Sequence, residues 1–388
     1  MKKLQRGIMI LGIKVAIGSA RALYAAIKLF PTRNKVIFIS RQGWDVPLDF
    51  TLLIDQLHCD QPDLEVKLLC RPVPKGPAIV GYLFHLLTQA YHIATSKTVV
   101  LDTYCIPVCI FTHKKTLQVI QIWHALGSFK KFGYAILDKA EARSGGRGLT
   151  SFELAQLMHM HENYDLVIAS GERSVHNFAQ AFNCDPSTVS VISLPRVDLL
   201  SDSEKNSEIQ GKIRTEHPEL GDKKTITFAP TFRRGETVHE EIDHLIEAVD
   251  FERYNLIIKV HPLTKLTIED PRAIQINGYS TLEVLTVSDY LITDYSAITY
   301  EMLVLGKPVF FYHLDADGYD EIRGFFTSPS DFPAQQYTDA HALFTAIDNE
   351  DFDLKAIHDF TNLEVVHRTG NTVRLAGIIE NHCYGLKN

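Results

Sequence analysis

From residue 35 onward the chain alternates short, uninterrupted apolar runs with longer stretches whose apolar positions recur at helical spacing. "KVIFIS" (35–40), "LEVKLLC" (64–70), "TVVLD" (98–102), "LQVIQIW" (117–123), "DLVIAS" (165–170) and "VSVIS" (189–193) read as strands. Between them "DFTLLIDQL" (49–57), "YLFHLLTQAYHIATS" (82–96), "SFELAQLMHMH" (151–161) and "RSVHNFAQAF" (173–182) read as helices. Strands apolar on both faces and separated by helices belong to parallel βαβ units. A polar stretch, 196–224, reads as an interdomain connection, after which the alternation restarts. "TITFAPTF" (225–232), "NLIIKVHP" (255–262), "DYLITD" (289–294) and "KPVFFY" (307–312) are its strands, and "AITYEMLVLG" (297–306) is one of its helices. The expected fold is α/β, with two doubly wound Rossmann-like domains, residues 31–200 and 201–388, and a last helix free to cross back.

The first thirty residues follow a different rule. Lys14, Arg21 and Lys28 recur every seven residues, so on a helix they drift only about 20° per step and form one basic stripe. The longest uncharged run, residues 7–13, is short against the roughly 20 apolar residues of a membrane span. Basic residues on an otherwise apolar helix suit an anionic membrane surface, where their stems reach the headgroups. Residues 1–30 are therefore expected to be an amphipathic membrane-surface helix.

Composition changes this picture little. Of 388 residues, 45% are hydrophobic and 22% charged, the proportions of an ordinary globular protein. A net charge of −8 argues against a nucleic-acid partner. The 6 cysteines show no C-x-x-C pair, so neither a disulfide framework nor a zinc site is expected.

In doubly wound sheets, ligands bind outside the carboxyl ends of the strands. "QIWHALGSFKKFGY" (121–134) is a strand that ends in His124 and opens into a glycine-containing, cationic loop. "APTFRRG" (229–235) presents Pro230, Thr231 and Arg233, "KVHP" presents Lys259 and His261, and "ITDYSAITYE" presents Asp294, Tyr295 and Ser296 where a helix begins. A helix start with nearby cationic groups suits a phosphate. Two histidines beside such a cradle suit transfer of a phosphorus-containing group, one as base and one as charge stabiliser. No P-loop or G-x-G-x-x-G motif is present. The His159/His161 pair of "MHMHE" reads as two surface histidines on a helix, because residues two apart diverge there. "HLDADGYD" (313–320) carries Asp315 and Asp317, a weak divalent-metal pattern that a polar turn explains equally well.

Taken in order, "QIWHALGSFKKFG", "FAPTFR", "IIKVHP", "LITDYSAITYE" and "LGKPVFFYHLDADGYDEIRGFF" resemble the CDP-glycerol glycerophosphotransferases that build wall teichoic acid. The resemblance runs from about residue 95 to 335. It implies a GT-B architecture, no cofactor and no metal. It makes His124 and His261 the catalytic histidines. The implied CDP-glycerol contacts are the loop His124, Ala125, Leu126, Gly127 and Ser128, then Arg196 of "LPRVD". On the second domain they are Pro230, Thr231, Lys259, Ser296 and Glu301, joined by the neighbouring Arg233, Val260 and Ala297. Lys130 and Lys131 would attract the pyrophosphates. Many members carry W-H-G-T-P, a serine at 297 and an aspartate at 301. The W-H-A-x-G-x-x-K-K-F-G form here is similar to the primase branch, which adds the first glycerol phosphate to an undecaprenyl-diphosphate-linked disaccharide at the cytoplasmic face of the membrane. Ribitol-phosphate transfer, polymerisation, a nucleotide-sugar glycosyltransferase and a catalytically silent lipid-binding protein are the alternatives.

Overall fold

Among the described residues, twelve strands form two six-stranded sheets, and every pairing within them is parallel. The computed structural model describes residues 2–74, 76, 79–137, 149–231, 237–260, 268–314 and 324–385. The chain divides into two units. One comprises Met1–Ala125, Lys131–Arg196 and Gly370–Asn388, the other Leu126–Lys130 and Val197–Thr369. Two Rossmann-like α/β sheets in one chain make the architecture GT-B-like.

The first sheet is ordered β2-β1-β3-β4-β5-β6, with β1 Lys35–Ser40, β2 Glu65–Cys70, β3 Thr98–Leu101, β4 Gln118–Gln121, β5 Leu166–Ala169 and β6 Val189–Val191. Central β1 and β3 are buried along their whole length, as continuous apolar runs require, whereas edge strand β2 is largely exposed. Ile37, Ile39, Val99, Leu101 and Val119 pack one face against Ala90, Ile93 and Ala94 of the helix Ile79–Thr95 and against Tyr24. The order reverses between β1 and β3, so this sheet's topological switch point lies there.

The N-terminal helix Lys2–Ile27 has three faces. Ile17, Ala20, Tyr24 and Ile27 form a seam on the core, and Tyr24 is buried and stacked on Phe111 with ring centroids 4.3 Å apart. Arg21 and Lys28 run along the seam's edge and donate to the carbonyls of Ile110 and Thr112. Ile8, Leu11, Val15 and Leu23 remain exposed. Gln5–Ile27 is long and apolar enough to cross a membrane by length and composition. Counting uninterrupted runs misses this, because the basic residues lie on one edge and leave the apolar face whole.

The second sheet is ordered β12-β11-β10-β7-β8-β9, with β7 Lys224–Phe228, β8 Tyr254–Ile258, β9 Ala273–Ile274, β10 Tyr290–Thr293, β11 Val309–Tyr312 and β12 Gln336–Tyr337. Ile226, Phe228, Leu256, Ile292 and Phe310 pack with Ile242 and Leu245 of the helix Thr237–Ala248 and Leu343 of Ala340–Asp348. The other face packs Ile257 on Ile213, Val284 and Val287. Here the switch point lies between β7 and β10.

Three expectations change. Residues 196–224 contain the passage from one unit to the other, at Arg196–Val197, but most of the stretch is folded as the helices Arg196–Leu200 and Ser203–Glu216. Asp202 caps the second by accepting from the amides of Glu204 and Lys205, and Ile213 seats it on the core. The helix at 151 stops at Leu157, and His159 and His161 take positive φ of 49° and 62°. His161 is consequently buried, not on the surface, and its Nδ1 lies 2.9 Å from the Tyr164 hydroxyl.

Candidate active site

In the first unit, His124 follows β4 where the backbone is strained. Trp123 has φ of 59°, a left-handed conformation costly for a residue with a Cβ. Buried Gln121 braces it, accepting from the Trp123 amide at 3.0 Å and donating to the Thr103 carbonyl at 3.2 Å. The Trp123 indole stacks on Phe132, with centroids 4.5 Å apart. The half-buried His124 then directs Nδ1 to the backbone carbonyl of Asp102, 2.9 Å away. A carbonyl can only accept, so Nδ1 carries the hydrogen of the neutral ring and Nε2 keeps the free lone pair. Burial pushes the His124 pKa down from its ordinary value, the Asp102 carbonyl opposes this, and Arg196 adds to it.

Asp102 stands just past β3, beside the switch point, and is 2% exposed. Its Oδ2 accepts from the hydroxyl of Ser40, at the end of β1, at 2.9 Å and from Gln42 Nε2 at 2.5 Å. Its Oδ1 is buried and has no hydrogen-bond partner among the described residues. Burial raises its pKa from 3.8 to about 6. The parallel register that sets Ile39 beside Leu101 carries Ser40 to Asp102. Sequence reading passes over this group. Its signal is a polar residue closing each of two otherwise apolar strands.

Arg196 donates from its amide to Oδ1 and from Nε to Oδ2 of Asp49, both at 2.9 Å. Asp49 is 2% exposed, in the first turn of the helix Leu48–Asp60. Arg196 thus neutralises a buried carboxylate, a partner that sequence reading did not supply. Ala125 ends this part of the unit and is half-buried.

In the second unit, Leu126, Gly127 and Ser128 are buried. A Cβ on Gly127 would stand 2.2 Å from Cζ of Tyr300, so only glycine fits against that ring. Phe129 packs on Phe332 with centroids 4.6 Å apart, and its carbonyl accepts from the Phe326 amide at 2.9 Å. Lys130 Nζ donates to Thr231 Oγ1 at 3.0 Å, and Thr231 donates from its hydroxyl (2.7 Å) and its amide (2.9 Å) to Oδ1 of buried Asp294. Thr231 follows buried Pro230 beyond β7, and Asp294 follows β10, so this chain of bonds sits at the switch point of its own sheet. Ser296 Oγ accepts from the Ile298 amide at 3.4 Å, while Ala297 is the N-cap of the helix Ile298–Val304 and supplies no side-chain cap. Glu301 is buried in that helix.

Lys259 stands apart from this group. Its ammonium donates to the carbonyls of Ile276 and Tyr279 at 2.8 and 2.6 Å, tying down the segment after β9, and neighbouring Val260 packs against the core. Arg233, His261, Asp315 and Asp317 lie outside the described residues. Among the described residues, no three His, Cys, Asp or Glu side chains group to hold a metal ion.

A family model described as CDP-glycerol:poly(glycerophosphate) glycerophosphotransferase matches residues 22–374. The chain is 31% identical over 377 residues to a teichoic acid ribitol-phosphate primase of Bacillus spizizenii, covering 93% of this chain and 94% of that protein. It is 29% identical over 355 residues to a teichoic acid poly(ribitol-phosphate) polymerase of the same organism, covering 87% of this chain and 55% of the polymerase. Among solved structures, the wall teichoic acid polymerase TagF (H548A) superposes with a TM-score of 0.75 at 20% identity, covering 98% of each chain, a likeness of fold.

Proposed function

Because the chain belongs to the CDP-glycerol:poly(glycerophosphate) glycerophosphotransferase family, we propose that it is a primase-type transferase. It moves one polyol phosphate from a CDP-polyol to a hydroxyl of an undecaprenyl-diphosphate-linked disaccharide, working at the cytoplasmic face of the membrane. The observation that carries the chemistry is His124, whose Nδ1 is committed to a backbone carbonyl while Nε2 is left as a base. In this reading the acceptor oxygen attacks the phosphorus that bears the polyol and loses its proton to Nε2. The bond from that phosphorus to the bridging oxygen breaks in line, and CMP leaves with the electron pair. In the same reading Lys130, Thr231 and Ser296 bind the donor phosphates, and the family resemblance assigns His261 and Arg233 to the same task. Lys259 supports the shape of that donor site, since its ammonium already holds two carbonyls.

Addition of a single unit is supported by the 31% identity to a primase over 93% of this chain. The same match favours ribitol as the polyol. Glycerol is the second reading, favoured by the family description and by the W-H-A-x-G-x-x-K-K-F-G motif. Incubating the chain with CDP-ribitol or CDP-glycerol, with and without lipid-linked disaccharide, and weighing the product distinguishes them. Acceptor-dependent CMP release with a product one unit heavier is expected. A ladder of products would replace the primase reading with a polymerase, and turnover of sugar nucleotides alone would remove the polyol altogether.

A further inference from the structure

The N-terminal helix and the helix Ser151–Leu157 enclose a groove of about 570 Å³ within the first unit. Ile10, Ile17 and Leu157 give it an apolar floor, and Lys14 and Arg21 give it a cationic wall beside His159. Arg21 donates from Nε to the Ile110 carbonyl at 2.7 Å and lies 3.0 Å from His159 Nε2 through a terminal nitrogen, which takes two of its five donors. His159 Nδ1 is held by Glu162 at 2.8 Å. Among the described residues the one carboxylate in the lining, Glu153, is ion-paired with Arg6, so the described lining keeps net positive charge. At helical spacing Lys14 and Gly18 fall between the core seam and the exposed apolar face of Ile8, Leu11 and Val15. The groove therefore opens where the helix passes from cationic to hydrocarbon-compatible.

We propose that this groove binds the diphosphate head of an isoprenoid-linked lipid, with the hydrocarbon lying along the exposed face of the same helix. A groove of this size exceeds what a single phosphate fills. Two cationic side chains on one wall match the paired charge of a diphosphate. The inference rests on the lipid-linked acceptor proposed above and assigns its phosphates to named residues. It differs from a diffuse attraction to anionic lipid, in which Lys14, Arg21 and Lys28 would count alike.

Vesicle flotation tests it without any transfer reaction. The full chain is mixed with phosphatidylcholine vesicles that are neutral, doped with a polyprenyl diphosphate, or doped to equal charge with phosphatidylglycerol. The quantity read is the gain in affinity over neutral vesicles. Lys14→Gln should lower that gain at least about tenfold on the diphosphate lipid, and Lys28→Gln, outside the groove, only about fivefold, as for any basic residue near an anionic surface. Gly18→Phe should match Lys14→Gln. A Cβ there meets nothing within 4 Å, so the ring occludes the groove without altering charge and without disfavouring the helix. On phosphatidylglycerol, Lys14→Gln and Lys28→Gln should both lose about fivefold. Equal losses for the two lysines on the diphosphate lipid, or an unaffected Gly18→Phe, would overturn the groove. Loss of CMP release with flotation intact would instead count against the transferase reading.

Discussion

His124 Nδ1 lies 2.9 Å from the backbone carbonyl of Asp102, and this one contact decides which ring nitrogen can take a proton. If Nε2 is the base, His124→Ala should reduce single-turnover CMP release by about 10²- to 10⁴-fold at saturating donor. The donor's dissociation constant should change far less. A histidine that only packs would instead lose activity in proportion to its fall in melting temperature.

The pH dependence follows from the same contact. A base must be neutral, and burial has moved His124 below its ordinary range. The acid limb of kcat/KM should therefore fall below about pH 6.5. Asp102 also titrates near this region, so the limb should be measured again in Asp102→Asn. A limb that persists there belongs to the histidine, and one that vanishes belongs to the carboxyl.

Asp102 makes a separate prediction about stability. With its pKa raised from 3.8 to about 6, the folded chain holds this proton more tightly than the unfolded chain. The stabilisation is complete below about pH 4 and is lost as pH rises through 6. Asp102→Asn has no such loss. Its unfolding free energy relative to the parent should rise by about 3 kcal/mol between pH 4 and pH 7 in urea titrations. A difference constant with pH would mean that the buried carboxylate ionises without penalty.

Arg196 carries two assignments that stability can separate. Removing it leaves Asp49 as a buried, unpaired carboxylate, so Arg196→Ala should lower the unfolding free energy by about 3–5 kcal/mol. Adding Asp49→Asn should recover part of this, because the stranded charge goes. If Arg196→Ala is as stable as the parent but binds CDP-polyol poorly, the arginine serves the ligand and not the fold.

Gly127 faces the ring of Tyr300 with no room for a methyl group. Gly127→Ala should cost about 1–3 kcal/mol, as overpacking does, and should depress turnover by displacing Ser128 to Lys130. Calorimetric melting and CMP release read the two effects. An alanine variant with unchanged melting would show that the loop yields freely at this point.

What the sequence determines alone is whatever depends on neighbours in the chain. Uninterrupted apolar runs such as Val99 to Leu101 made the parallel strands legible, and the alternation with helices made the two Rossmann-like sheets legible. Strand ends located Thr231 beyond β7 and Ser296 beyond β10, because an uninterrupted apolar strand stops where polar residues begin. Tertiary structure decided whatever depends on neighbours in space. Asp102 and Ser40 are 62 residues apart and meet only because β1 and β3 pair in one register. Asp49 and Arg196 are 147 apart, and only their pairing in space shows that this arginine neutralises a buried charge. His159 and His161 parted company with the helix because it stops at Leu157 and both take left-handed backbone beyond it, which no local period announces. The N-terminal helix needed both levels. Its seven-residue basic repeat is written in the sequence, but only packing showed that the stripe borders a buried seam and a groove, since one apolar surface can face a core or a membrane with the same residues.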